Sequence, residues 1–175
     1  MIMSSPGVRR LCIGVGSPYP GLLADAASSL GPGWLYLDAI DPEGIDLGFA
    51  SPGVDEVALV TGMIGALRTL TGAATGAGAA VSDPVFAVFH VGITRVEGDD
   101  LRGAAVLRLQ QILRRLALSV TPNGAARGLL VAGISETLFD DLSLECGFSG
   151  GWIHSAQAGA RFRVFEMAHY EERKP

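Results

Sequence analysis

Lysine is almost absent from this chain: Lys174 stands alone against twelve arginines. Basic residues are outnumbered even so, with 13 Lys and Arg against 18 Asp and Glu, a formal net charge of -5 over 175 residues. A nucleic-acid partner is therefore not expected, because neutralising phosphates takes clustered positive charge. Cysteine is equally sparse. Cys12 and Cys146 are too few for a disulfide framework and neither lies in a CxxC pair, so both read as small buried residues of a reducing compartment. Long apolar runs are missing too. MIMSSPGVRR leads only into a short one ending at Val15, too brief for a secretory leader. Gly, Pro or charge breaks every other run before it could span a bilayer, so no membrane contact is expected. A GxSxG elbow is absent, which leaves acyl transfer without an anchor.

What remains is apolar and finely divided: 49% of residues are hydrophobic and mean hydropathy is +0.37. The length suits one cytoplasmic domain, residues 1–175, with a sizeable core over about 9–167. RRLCIGV reads as a buried strand entering the tight loop GSPYPG. LLADAASSL is a brief helix that GPG stops. WLYLDAI and GIDLGFA flank Asp41-Pro42-Glu43 as a hairpin. Val57, Val60, Ile64, Leu67 and Leu70 fall near helical spacing over 55–70, with Asp55 and Glu56 in the first turn, where the helix dipole favours acids. Thr71 to Pro84 is rich in small residues, lacks a period and reads as a flexible loop. PVFAVFHVGIT follows as a strand, buried on both faces from Val85 to Val91, then a helix over about 102–118. GLLVAGI is a further strand, 136–142 a short helix, and the end supplies one or two closing strands. A hairpin set among strand–helix alternations requires a mixed sheet, and this order suits a ferredoxin-like α/β sandwich.

Several residues invite chemistry and have plainer readings. His90 lies in a buried-looking strand without a Cys, Asp or Glu at ligand spacing, and reads as a satisfied core histidine. Arg102, Arg108, Arg114 and Arg115 make a basic helix face, solvated by default. GVGSPYPG follows a strand as a dinucleotide loop would, but Gly21 is misplaced and Pro18 and Pro20 disturb the helix start that should receive the pyrophosphate.

FHVGIT followed by DDLRGAAVLRLQQ is similar to an "IHTGEV" strand, an acidic turn and a "GxxVNxAxR" helix. DPEGIDLGFASP resembles a "tGDGxlavFxSP" hairpin, GLLVAGISETLFDDL a "vlvSexTxxll" strand and helix, and ARFRVFEM a closing "xxVyex" strand. In that order, from about Arg10 to Met167, the chain resembles the class III nucleotide cyclase homology domain.

The resemblance implies a two-metal reaction. One acid on the first strand and one in the hairpin hold Mg or Mn on a triphosphate, while an Asn and an Arg on the helix position the ribose and stabilise developing charge. Position by position the pattern is broken here. The first-strand acid falls near Ile13 or Gly14, the base-reading Lys at Ala39, the Asn at Leu107 and the Arg at Gln111. Glu43 takes the place of the hairpin acid, and Asp100 stands where the family often sets a base-contacting Asp. These two are the nucleotide-binding candidates; beside that, Asp100 reads as a helix cap and Glu43 as a solvated turn acid. No catalytic residue and no metal ligand is assigned, and no cofactor is expected unless the chain is active.

Two functions follow from the resemblance. One is a catalytically degenerate cyclase-like module for regulation, dimerisation or nucleotide binding in bacterial signalling or phage defence. It would pair with itself or with another cyclase-like or signalling protein, as the family pairs. The other is a divergent nucleotidyl cyclase completed by a partner subunit and using Mg or Mn.

Overall fold

The computed structural model describes residues 6–17, 21–31, 34–36, 45–76, 85–97, 100–119, 130–135, 137–138, 152–154 and 162–167. The elements run β1 (Val8–Gly16), α1 (Leu22–Ser29), β2 (Trp34–Tyr36), β3 (Ile45–Ala50), α2 (Glu56–Gly76), β4 (Val85–Glu97), β5 (Asp100–Arg102), α3 (Ala104–Ser119), β6 (Leu130–Ser135), β7 (Trp152–His154) and β8 (Phe162–Met167). They build a sheet of order β2-β3-β1-β4-β6-β8-β7, with β5 paired to β4 off this path. The first six elements form the ferredoxin-like β-α-β-β-α-β unit, its four strands ordered β2-β3-β1-β4. β6 then joins β4 in parallel and β8 joins β6 antiparallel, so the sheet is mixed as the element order requires.

Alternation along the strands divides the core into two layers. Leu11, Ile13 and Val15 of β1, with Val85, Ala87, Phe89 and Val91 of β4, pack towards α1 and α2. Cys12 and Val88, with Ile45, Leu47 and Phe49 of β3, pack under α3. β4 runs between β1 and β6, and the apolar run VFAVF is what a strand covered on both sides needs. The register with β3 makes the hairpin explicit, since Trp34 faces Ala50 and Tyr36 faces Gly48.

α2 buries Val60, Met63, Ile64 and Leu67, a helical stripe, and the Asp55 carboxylate accepts the Ala58 N–H at 3.0 Å as an N-terminal cap. The helix continues six residues past Leu70 into the stretch expected to be a flexible loop. Thr71 extends the buried stripe four residues beyond Leu67, and alanine is the best helix former, so tertiary burial overrides a composition that looked like a linker. Residues 77–84 of that stretch lie outside the described residues, as do most of the short helix expected over 136–142 and Cys146.

α3 buries Ala105, Val106, Leu109, Ile112, Leu113 and Leu116 and turns Ala104, Leu107, Gln111 and Arg114 outwards. Its N-terminus corrects one expectation. The first turn closes on Gly103, whose carbonyl accepts from Val106 and Leu107, while Asp100 sits earlier, in β5 opposite Glu97. Asp100 is therefore not the helix cap. The arginines do not share one helix face either: Arg102 belongs to β5, Arg108 is half-buried on a flank of α3, and Arg114 is on its outer stripe. No helix among the described residues is long and apolar enough to cross a membrane.

Candidate functional site

β1 and β3 meet α3 along a seam set by glycine. A Cβ placed on Gly14 would lie 3.1 Å from Leu109 Cδ2 and 3.6 Å from Ile45 Cγ2. The same contact recurs at Gly92, where Ala105 Cβ would be 3.0 Å away, and at Gly133, where Leu116 Cδ2 would be 3.3 Å away. Missing side chains on the strands let the helix sit low, and its leucines fill the space. Around Gly14 the lining is Cys12, Ile45, Leu47 and Phe49, all at most 7% exposed. Among the described residues, this side of β1 and β3 carries no carboxylate.

Of the residues that the sequence pointed to, Gly14 lies here and the others described do not. Ile13 is fully buried on the opposite face, towards α1 and α2. Leu107, 63% exposed, and Gln111 lie on the outer stripe of α3, away from the seam. Glu43 and Ala39 lie outside the described residues, and so does the side chain of Asp100.

Three polar features stand out, and two of them, Asp46 and Arg10, escaped the sequence. Asp46 of β3 faces Val15 in register and is half-buried, and burial raises its carboxyl pKa. His90 lies directly across β1–β4 from Cys12. Its Nδ1 is buried with no hydrogen-bond partner among the described residues, so it is not the satisfied core histidine expected. Burial and then the Arg108 guanidinium push the imidazole down to about 4, while burial pushes the Cys12 thiol up to about 12 against a smaller pull from Arg10. A neutral imidazole beside a protonated thiol is not a nucleophilic pair, which needs a thiolate and a base titrating near neutrality. The third feature is Arg10. Its Nη1 donates to Thr94 Oγ1 at 2.9 Å, Thr94 donates in turn to the Val8 carbonyl at 3.0 Å, and the guanidinium lies 5.9 Å from the centre of the Phe49 ring. This network ties β1 to β4. Cross-strand partners far apart in the chain leave no local signal; only the alternation of Asp46 with apolar neighbours in GIDLGF hinted at its place on a strand.

Solved structures share this arrangement. An adenylate/guanylate cyclase/hydrolase from Silicibacter pomeroyi superposes with a TM-score of 0.54 at 13% identity, covering 90% of this chain and 96% of that one. The guanylyl cyclase Cya2 gives 0.53 at 12% identity, covering 94% and 93%. This chain has the class III nucleotide cyclase fold. A bacterial light-regulated adenylyl cyclase also matches, at 0.53 and 9% identity, over 93% of this chain and 52% of that one. No protein-family model and no curated protein matches the sequence. The fold also disposes of the dinucleotide reading: β1 is antiparallel to both its neighbours, whereas that fingerprint needs a parallel β-α-β unit.

The cyclase fold implies a pair of divalent ions, and the described residues do not fit one. Such ions take oxygen ligands, with carboxylates bridging both metals. The two places that the resemblance offers for the first-strand acid hold a core isoleucine and a glycine packed by Leu109, while Glu43, offered for the hairpin acid, lies outside the described residues. Asp46 is the lone carboxylate described on β1 or β3, and the described residues hold no group of three His, Cys, Asp or Glu able to share a metal.

Proposed function

We propose that the chain is a single cyclase-fold domain that no longer cyclises nucleotides and serves as a binding and regulatory module in bacterial signalling or defence. This reading is supported by β1 and β3, which carry Asp46 as their lone described carboxylate, and by the packing of Leu109 onto Gly14, one of the two positions that the resemblance offers for the first-strand acid. Leu107 and Gln111 in place of the ribose-positioning Asn and Arg add to it, because neither can offset the charge that develops as pyrophosphate leaves. The module works in the cytoplasm, without nucleic acid or membrane, and pairs with itself or with another cyclase-like or signalling chain. A nucleotide is its ligand, with Glu43 and Asp100 as the contacts.

The test is incubation of the purified chain with each nucleoside triphosphate and Mn²⁺, followed by product analysis. No cyclic product is expected, since removing even one charge-stabilising donor costs roughly a hundredfold to a thousandfold in rate. Metal-dependent turnover that Glu43→Ala abolishes would establish the opposite reading, a divergent cyclase. Sedimentation at micromolar concentration tests the pairing. A monomer, with no partner recovered from the source cell, would remove it.

A further inference from the structure

Positive charge gathers on the α3 side of the sheet around Gly92. Arg10 of β1 stands opposite Gly92 in register. A Cβ on Gly92 would lie 3.3 Å from His90 Nε2 and 3.0 Å from Ala105 Cβ, so the imidazole and the first turn of α3 close on the same point. Arg108 follows Ala105 by one helical turn, and its charge acts on His90. Arg10, His90, Gly92 and Arg108 are each half-buried, which leaves the cluster an outlet to solvent. Arg10 is also held in place. Its Nη1 donates to the fully buried Thr94 hydroxyl at 2.9 Å, and its guanidinium lies 5.9 Å from the centre of the Phe49 ring. That bond uses one of about five guanidinium donors, and a fixed planar fork suits the paired oxygens of phosphate or sulfate. Around His90 stand Cys12 directly across β1, Arg10 two residues before it on the same face, Arg108 on α3 and Thr94 on β4. Cys12 keeps its proton, so the two guanidinia supply the charge that these groups bring to the ring.

We infer that Arg10, Arg108 and the Nε2 edge of His90 form a binding site for a tetrahedral oxyanion, either a free anion or the phosphate group of a larger ligand. The site stands apart from the nucleotide reading, because none of the three residues is a position that the cyclase resemblance offers for a ligand. An oxyanion seated there reverses the field at His90, so the imidazolium is favoured and the anion binds more tightly as the ring gains its proton. Sulfate is the probe, since it does not titrate in the range of a histidine. NMR follows the His90 ring of the full chain through a pH titration, in sulfate and in chloride of equal ionic strength. Sulfate should raise the His90 midpoint saturably by at least about one pH unit, which is about tenfold tighter binding to the imidazolium form. Arg108→Gln should weaken sulfate binding about tenfold while the amide spectrum stays folded. Arg10→Lys, which keeps the charge and loses the fork, should weaken it less than Arg10→Gln does. An equal midpoint in the two salts overturns the inference, and a carboxylate of the chain itself seated on the cluster would give that result. A sulfate shift that both Arg108→Gln and Arg10→Gln retain overturns it as well. Competition by inorganic phosphate, AMP and GMP separates a free anion from a nucleotide's phosphate. Sulfate binding that neither nucleotide displaces leaves the inference standing and removes the nucleotide ligand.

Discussion

Acid should destabilise this fold through His90 in a predictable window. The imidazole is half-buried, its Nδ1 lacks a partner among the described residues, and burial together with Arg108 lowers its pKa from 6.5 to about 4. The unfolded chain therefore takes up a proton first as pH falls. Stability is complete above 6.5, declines between 6.5 and about 4, and loses this contribution entirely below that. From pH 8 to pH 5 linkage gives a loss of about 2 kcal/mol, and solvent reaching the exposed part of the ring reduces it to about 1 kcal/mol. Urea denaturation of wild type and His90→Gln at both pH values isolates the effect, because the two other histidines remain in each protein. The wild type should lose about 1 kcal/mol more than the variant. Arg108→Gln should shrink that difference by less than half, since burial is the larger cause. Direct titration of the His90 ring by NMR supplies an independent reading should the variant fold poorly. A midpoint near 6.5, or equal acid sensitivity in wild type and His90→Gln, would refute the argument.

Other perturbations have equally definite outcomes. Leu109→Ala removes a side chain 1% exposed from the Gly14 contact and should cost roughly 2–5 kcal/mol, read as a lower denaturation midpoint. Gly14→Asp should also lower that midpoint without creating a Mn²⁺ site, because its Cβ meets Leu109; tight Mn²⁺ binding by this variant would show that the seam opens easily. Gly103→Ala should cost at least about 1 kcal/mol, since Gly103 has φ +126° and an added Cβ would lie 2.8 Å from the Ile93 carbonyl oxygen. Cys12, fully buried with its thiol pushed up to about 12, should resist iodoacetamide at pH 8 until denaturant is added. Mass spectrometry of its peptide measures this, and rapid labelling of the native protein would contradict the burial.

The sequence by itself determined the elements and their order. Apolar residues run unbroken along β1 and the first half of β4 and recur near a period of 3.6 along α2 and α3, and both patterns can be read without knowing what covers them. VFAVF announced a strand covered on both sides, and DPEGIDLGFASP announced a hairpin, because burial and turn chemistry are written in neighbouring residues. Local pattern also set limits. The small residues of 71–76 gave no period, so only packing of Thr71 revealed that α2 continues; Asp100 looked like a cap until pairing with β4 placed it in β5. The site was less legible still. Which residue stands across from which is a matter of register between distant strands, and that register alone brings Cys12 to His90 and Asp46 to Val15. Gly14 in LCIGVG is one small residue among others. Its role as the seat of Leu109 is visible only when α3, some ninety residues later in the chain, lays that side chain against it, because close packing is decided by contacts that no local pattern encodes.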